Sequence, residues 1–257
     1  MQSGFYSRQK GLERNSVWFV GKIRLQLFSV FLAGIGMVNS VSATETNHLS
    51  PSNVLIIEGA LQYGDGDLDK AIASFTKVLQ FDPTNSLAVF NRASVYRTKG
   101  EFKKSISDFN SYIRLNPTND FAYKNRASAF AAIGEFEKAL NDWSEGLRLN
   151  PIDATALAMR GFSYEKTGRF SEAQKDYYQA IQIDAKNGSA WNNLGWLRAT
   201  CPIVSMRNGE EAVNAATKAC DFSSWTNWTR LDTLAAAFAE KGDFELAING
   251  IMHLTEV

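Results

Sequence analysis

The apolar positions of this chain repeat in blocks of 34 residues, and each block holds two stretches with helical spacing. In the block that begins at Ser86, this spacing predicts one helix over 86–99 and a second helix that ends near Leu115. Gly100 lies between them, as glycine often does after a helix end, and Pro117 disfavours helix at the residue before it. A chain built from such blocks is predicted to be all-α.

Five different registers share the 34-residue period. They are a small residue, a turn glycine, a second small residue, an aromatic residue and a proline. The members in order are Gly59, Ala93, Ala127, Gly161 and Gly195; Gly66, Gly100, Gly134 and Gly168; Ala71, Ser105, Ala139 and Ala173; Phe75, Phe109, Trp143 and Tyr177; and Pro83, Pro117 and Pro151. Their agreement indicates a stack of helix pairs, because one pair alone cannot bury its apolar face.

This pattern resembles the tetratricopeptide repeat family over nearly all of residues 50–257. The windows that carry the resemblance best are GDLDKAIASFTKVLQFDP (66–83), GEFKKSISDFNSYIRLNP (100–117) and GEFEKALNDWSEGLRLNP (134–151). The ending ATCP…KAC…LDTLAAAFAEKGDFELAI is similar to the last repeats of a group of bacterial members. The resemblance implies a right-handed superhelical solenoid of about six antiparallel helix pairs that serves as a non-catalytic scaffold for protein interactions.

The repeat domain is predicted to occupy residues 52–257. Its units are 52–85, 86–119, 120–153, 154–187, 188–227 and 228–257. The fourth unit has Ala185 in place of the proline. The fifth contains an insertion, because Cys201 and Pro202 begin a longer turn and the next alanine in register, Ala212, comes five residues late.

The first 43 residues have a different character from the rest. Basic residues up to Arg24 precede an apolar run over 25–38, and Val41-Ser42-Ala43 resembles a cleavage site. This order predicts a signal peptide cleaved after Ala43, a linker over 44–51 and a mature protein that is periplasmic or secreted. The alternative is an uncleaved anchor, and only in that case would residues 1–43 contact a membrane.

The composition of the chain bears on its possible partners and on its cysteines. The chain has 257 residues, 45% hydrophobic and 21% charged, with a formal net charge of zero. Beyond residue 43 acidic side chains outnumber basic ones, which argues against a nucleic-acid partner. Cys201 and Cys220 are predicted to stay unbridged, because they end successive antiparallel helices at opposite poles.

Catalytic constellations are absent from the sequence. The two histidines, His48 and His253, have no paired cysteine, and no metal-ligand spacing, phosphate-binding loop or nucleophile elbow is present. The sequence therefore predicts no enzyme activity, no cofactor and no metal.

Two ladders of charge follow the period in the second, third and fourth units. Their shared presence predicts three bridges between the two helices of a unit: Arg92–Asp108, Arg126–Asp142 and Arg160–Asp176. The alternative is that these arginines bind a ligand.

The family resemblance implies that the first helix of each pair lines a concave groove that binds extended peptides. The positions of this chain that fall there are Phe90, Asn91, Ser94, Arg97, Lys124, Asn125, Ser128, Phe162, Asn192, Asn193 and Trp196. Asparagine amides can hold a peptide backbone, Arg97 and Lys124 a carboxylate, and the aromatic residues an apolar side chain. A chaperone-type carboxylate clamp is not supported, because Ile56 and Ala60 occupy its places in the first unit.

Three functions are compatible with these features. The main prediction is a scaffold that presents the groove to a protein or peptide of unknown identity. The runner-up is a structural subunit of a cell-envelope assembly, including self-association through a C-terminal helix whose apolar residues are predicted to be partly exposed: Ile248, Ile251, Met252 and Leu254. A small-molecule or glycan receptor is the weakest, because no closed pocket can be argued.

Overall fold

The structure is a computed structural model that describes residues 50–252, with side chains up to Ile248. Across this range the chain is helical and contains no strand, so the predicted all-α class is confirmed. The described residues form two compact units, one ending at Gly100 and the other beginning at Glu101. From here on, the first unit and the second unit mean these two, and a repeat of 34 residues is called a block. The predicted signal segment 1–43, most of the linker, both histidines and Leu254 lie outside the described residues, as do the side chains of Ile251 and Met252.

The helices alternate between two kinds, which we name A and B. In the first unit, α1 (Pro51–Gly64) and α3 (Ser86–Thr98) are A helices, and α2 (Leu68–Phe81) is a B helix. In the second unit the A helices are α5 (Asp120–Ala132), α7 (Ala154–Lys166), α9 (Gly188–Thr200) and α11 (Trp228–Lys241). Its B helices are α4 (Phe102–Leu115), α6 (Phe136–Leu149), α8 (Phe170–Ile183), α10 (Gly209–Asp221) and α12 (Phe244–Met252). Each helix between residues 50 and 252 is too short or too polar to span a bilayer.

A repeated cap fixes where the A helices begin. Asn119, Asp153 and Asn187 precede α5, α7 and α9, and Asn85 precedes α3 at the same spacing. Each side chain accepts a hydrogen bond from the backbone N–H three residues later. This bond satisfies a donor that has no partner inside the helix, so the cap defines the first turn.

Except in the pair α9–α10, the turn within a pair contains a glycine with positive φ. Gly134 and Gly168 have φ values of 78° and 76°, a region that L side chains rarely adopt. At the other end, each of the first three B helices of the repeat stops two residues before a proline, at Phe81, Leu115 and Leu149. The residue between helix and proline is not helical, as the steric demand of proline requires.

The two helices of a pair approach closely because a small residue faces an aromatic ring. A methyl group added at Gly161 of α7 would lie 2.6 Å from Cε1 of Tyr177 in α8. In the first unit, a methyl group at Gly59 would lie 2.8 Å from the ring of Phe75. Both rings are fully buried. The distance between helices A and B is therefore set by this contact.

Successive pairs share their cores. In the second unit, Trp143 and Leu147 of α6 belong to one buried cluster with Ala154 and Leu157 of α7. In the first unit, Phe75 and Val78 of α2 are buried in one cluster with Ala88 of α3. Each B helix thus packs against the A helix that follows it within its unit, as expected for stacked tetratricopeptide-like pairs.

The predicted insertion is a turn held by one arginine. It joins α9 to α10 and contains a short 3-10 helix, Val204–Met206. Nη1 of Arg198 donates to the carbonyl oxygen of Met206 at 2.6 Å, and Nε donates to Glu211 at 2.7 Å. Cys201 and Cys220 are both buried and free.

The close contact of helices A and B leads to a stability prediction. Gly161→Ala should destabilise the protein by about 1–3 kcal/mol, because the added methyl group overpacks against Tyr177. Gly64→Ala is the matched control, since no atom lies within 4 Å of the added methyl group at the end of α1. The control should leave stability unchanged or raise it by up to about 1 kcal/mol, through helix propensity. Urea unfolding measures both, and equal losses would contradict the packing argument.

Candidate functional site

Three adjacent A helices of the second unit carry most of the predicted binding residues. Helix α7 packs against both α5 and α9, so their solvent sides form one surface. We name this the A-helix surface and define it by residues that are half-buried or exposed: Phe121, Asn125, Ser128, Phe162, Asn192, Asn193 and Trp196.

Aromatic side chains provide the apolar part of this surface. Trp196 of α9 is 41% exposed, and Phe162 of α7 occupies the same register one block earlier. The Phe162 ring meets Phe136 of α6 edge-on at 6.3 Å between centroids, which fixes its orientation. Exposed aromatic side chains on a fixed backbone are well suited to bind an apolar group.

Phe121 of α5 also belongs to the surface, although the sequence analysis did not include it. Its side chain is 59% exposed, and Nζ of Lys124 lies 4.3 Å from its ring centroid. A signal for it was present in the sequence. The same register holds Thr155 and Ser189 in the next two blocks, so Phe121 is an aromatic residue at a polar surface position.

The asparagines of the surface differ in how far their amides are satisfied. Nδ2 of Asn125 donates to the carbonyl oxygen of Phe121 at 2.8 Å. Oδ1 of Asn192 is buried and has no hydrogen-bond partner among the described residues. An acceptor left in this state costs about 1–3 kcal/mol, and this oxygen, like Nδ2 of Asn91, is not accessible to a ligand. Asn193 is half-buried beside it.

The side chain of Lys124 was expected to face solvent in the groove, but it is buried. Its side chain is buried, and Nζ lies 2.7 Å from Asp120 Oδ2 and 2.5 Å from Asp153 Oδ2. Burial opposes the charged form, but the two carboxylates raise the pKa of Lys124. The expectation that Lys124 holds a partner's carboxylate is therefore corrected: its charge is neutralised inside the fold, by the residue four positions earlier and by the cap of α7.

The other predicted groove residues lie on α3 in the first unit and are described on their own. Phe90 and Arg97 are half-buried, and Oγ of Ser94 donates to the carbonyl oxygen of Phe90. Asn91 is buried, with no hydrogen-bond partner for Nδ2 in the described chain. The expectation that its amide faces solvent and binds a partner is therefore corrected, because the side chain is buried. Partner binding by Phe90 and Arg97 stays a prediction.

The charge ladders form ion pairs inside the second unit. Arg126 donates from Nε and Nη2 to the two carboxylate oxygens of Asp142, both at 2.7 Å. Arg160 meets Asp176 in the same way, at 2.7 and 2.8 Å, and both aspartates are buried. The bonds to Asp176 raise the pKa of Arg160. The pair Arg92–Asp108 joins residues of the two compact units and stays a prediction.

Each ladder arginine also bonds to the preceding B helix, a contact that the sequence analysis missed. Nη1 of Arg126 donates to Asn110 Oδ1 at 2.7 Å, and Nη1 of Arg160 donates to Ser144 Oγ at 3.4 Å. In the first unit, Nη1 of Arg92 donates to Thr76 Oγ1 at 3.2 Å. The acceptor lies 16 residues before the arginine each time, so a second spacing was available as a signal.

One further carboxylate lies on α7 behind the surface. Burial raises the pKa of Glu165, although the hydroxyl of Tyr177, 3.1 Å away, donates to it and opposes the shift. Burial and the nearby carboxylates also raise the pKa of Tyr177. Residues 50–252 contain no group of three His, Cys, Asp or Glu side chains arranged to hold a metal ion.

The sequence profile of the tetratricopeptide repeat family matches residues 58–120 and 124–190, just over half of the chain. The chain therefore belongs to the tetratricopeptide repeat family. No protein with curated annotation matches it.

Solved structures show the same fold. A tetratricopeptide repeat protein from Parabacteroides merdae ATCC 43184 aligns with a TM-score of 0.67 at 23% identity, covering 80% of this chain and 79% of that chain. MamA aligns with a TM-score of 0.58 at 26% identity, over 65% and 95% of the two chains. YrrB, a tetratricopeptide protein with an unusual peptide-binding site, has a TM-score of 0.57 at 21% identity, over 69% and 88%.

The ion pairs of the ladder should contribute to stability. Arg126→Met leaves Asp142 buried without its guanidinium and should cost about 3 kcal/mol. Arg148→Met is the matched control, because Arg148 pairs with Glu145 at the surface and its loss should cost less than about 1 kcal/mol. The free energy of unfolding in urea distinguishes the two. Losses of similar size would show that the Arg126 pair is not a structural bridge.

Proposed function

We propose that this protein is a non-catalytic interaction scaffold that binds an extended peptide segment of a partner protein on the A-helix surface. The observation that carries the proposal is the exposure of two large aromatic side chains on the A-helix surface, Phe121 of α5 and Trp196 of α9. The exposed area of these rings is an unfavourable contact of apolar surface with water, which a bound apolar side chain would remove.

The chemistry of the surface favours a peptide with apolar side chains and little charge. Phe121, Phe162 and Trp196 offer contacts to such side chains. The backbone N–H groups of an extended peptide would donate to the amide oxygen of Asn193. Lys166 lies 4.9 Å from the Phe162 ring centroid and provides one cation at the edge. The protein helices are already ordered, so binding would cost them little conformational entropy.

The family and its solved members support this class of function. Tetratricopeptide proteins are generally scaffolds without catalytic activity. YrrB has a peptide-binding site, and we extend peptide binding to this chain as part of the proposal. Nucleic acid is not a proposed partner, because the body of the chain is mildly acidic.

A second candidate is a structural subunit of a cell-envelope assembly that joins through its C-terminal edge. The observation in its favour is the exposure of three large apolar side chains on α12, namely Phe244, Leu246 and Ile248. Export to the periplasm or the medium is part of both candidates and rests on the sequence of residues 1–43. Detection of a mature protein that begins at Thr44 in the exported fraction tests it.

Peptide selection tests the main proposal. Peptides selected on the purified protein from a random library should be rich in apolar residues. Trp196→Ala should weaken their binding about 30-fold, as expected for an aromatic hot spot worth about 2 kcal/mol. Trp225→Ala, which removes an exposed tryptophan outside the A-helix surface, is the matched control and should leave the affinity unchanged. Equal effects of both variants, or none of either, would contradict the proposal.

A further inference from the structure

The outer face of α1 exposes apolar side chains at positions that are covered elsewhere in the chain. Val54 and Leu61 are 49% and 54% exposed. Their register equivalents in the next four blocks are at most 1% exposed: Ala88, Ala122, Ala156 and Ala190 for Val54, and Val95, Ala129, Ser163 and Leu197 for Leu61. Val54 and Leu61 are thus apolar side chains exposed at positions that are buried in α3, α5, α7 and α9.

The cause is the order of helices. Within each compact unit, an A helix receives the B helix that precedes it: α2 packs on α3, α4 on α5, α6 on α7 and α8 on α9. Among the described residues, α1 has no helix before it. Its face therefore has the form of an interior A helix that lacks its B helix.

Helix α12, a B helix, also exposes large apolar side chains. Phe244 and Ile248 are 66% and 60% exposed. The register equivalent of Phe244 in α6 is Phe136, which packs edge-on against Phe162 of the following A helix. The equivalent of Ile248 is Leu140, which is buried. No A helix follows α12 in the described part of the chain, so its face has the form of an interior B helix without its A helix.

We propose that α12 of one copy of this chain packs against α1 of a second copy, as an interior B helix packs against the A helix that follows it. The contact would continue an interface that the structure already repeats. In α1, the register of Phe162 is occupied by Ala60, and this small residue leaves room for the ring of Phe244. The result is a heterologous, head-to-tail contact that uses different faces of the two copies.

The residue type at position 246 of α12 also supports a second copy of the chain as the partner of this face. Leu246 is 45% exposed, whereas its register holds a charged residue in earlier B helices: Lys70, Lys104, Lys138 and Glu172. A charge at this place keeps an interior B helix soluble. Its replacement by leucine extends the apolar face of α12, as expected where another chain covers the helix. The proposal deepens the second candidate function and does not depend on peptide binding by the A-helix surface.

Two charge substitutions and their mixture test the proposal by sedimentation velocity at low and high micromolar concentration. The wild-type protein should associate as its concentration rises. Leu61→Glu removes the face on α1, and Ile248→Glu removes the face on α12, so each variant alone should be monomeric. Mixed together, they should form a 1:1 dimer and nothing larger, because one intact α12 face then meets one intact α1 face.

Ile152→Glu is the matched control, since it places the same charge at an exposed isoleucine in a turn, and it should associate like the wild type. Circular dichroism verifies that all variants are folded. A wild-type protein that stays monomeric overturns the proposal and leaves α1 to another occupant, such as the residues before Ser50. A single variant that still dimerises, or a mixture that stays monomeric, overturns it as well. Affinity for the selected peptides should be unchanged in all variants, so failure here is distinct from failure of the groove.

Discussion

The helix pairs α1–α2 and α7–α8 are each closed by one contact, in which an aromatic ring of the B helix fills the space left by a glycine of the A helix. Tyr177 packs against Gly161 in this way, 16 residues apart. Arg160 and Asp176, one residue earlier on each helix, have the same separation, so the packed ring brings them within 2.8 Å. The contact therefore determines both the distance between the helices and the ion pair beside it.

The period of 34 residues was enough to predict the fold class, the family and the limits of most helices. It also placed Arg126 opposite Asp142, because two charges that recur in the same blocks have the same geometry in each. It did not predict the burial of Lys124, which depends on Asp120 and on Asp153, the cap of α7. The registers of Lys124 and Asp120 hold other residue types in the neighbouring blocks, so the period carries no information on this contact.

Registers with packing contacts keep similar residue types from block to block, whereas registers at the surface vary. The small, aromatic and turn registers change little along the chain, because each is set by a contact or by a backbone angle. The register of Ser128, Phe162 and Trp196 changes in size and polarity from block to block, although all three lie on the A-helix surface. Positions free of packing demands are those where a particular ligand can be accommodated, which is why the surface, and not the core, distinguishes this chain from other stacks of helix pairs.

Binding of a partner peptide to the A-helix surface of the second unit can be measured by hydrogen–deuterium exchange of the protein with and without a selected peptide. Exchange should become slower in α5, α7 and α9 on binding and stay unchanged in α4, α6 and α8. Slower exchange confined to the B helices, or to α12, would contradict it, because the ligand would then occupy the outer face or the C-terminal edge.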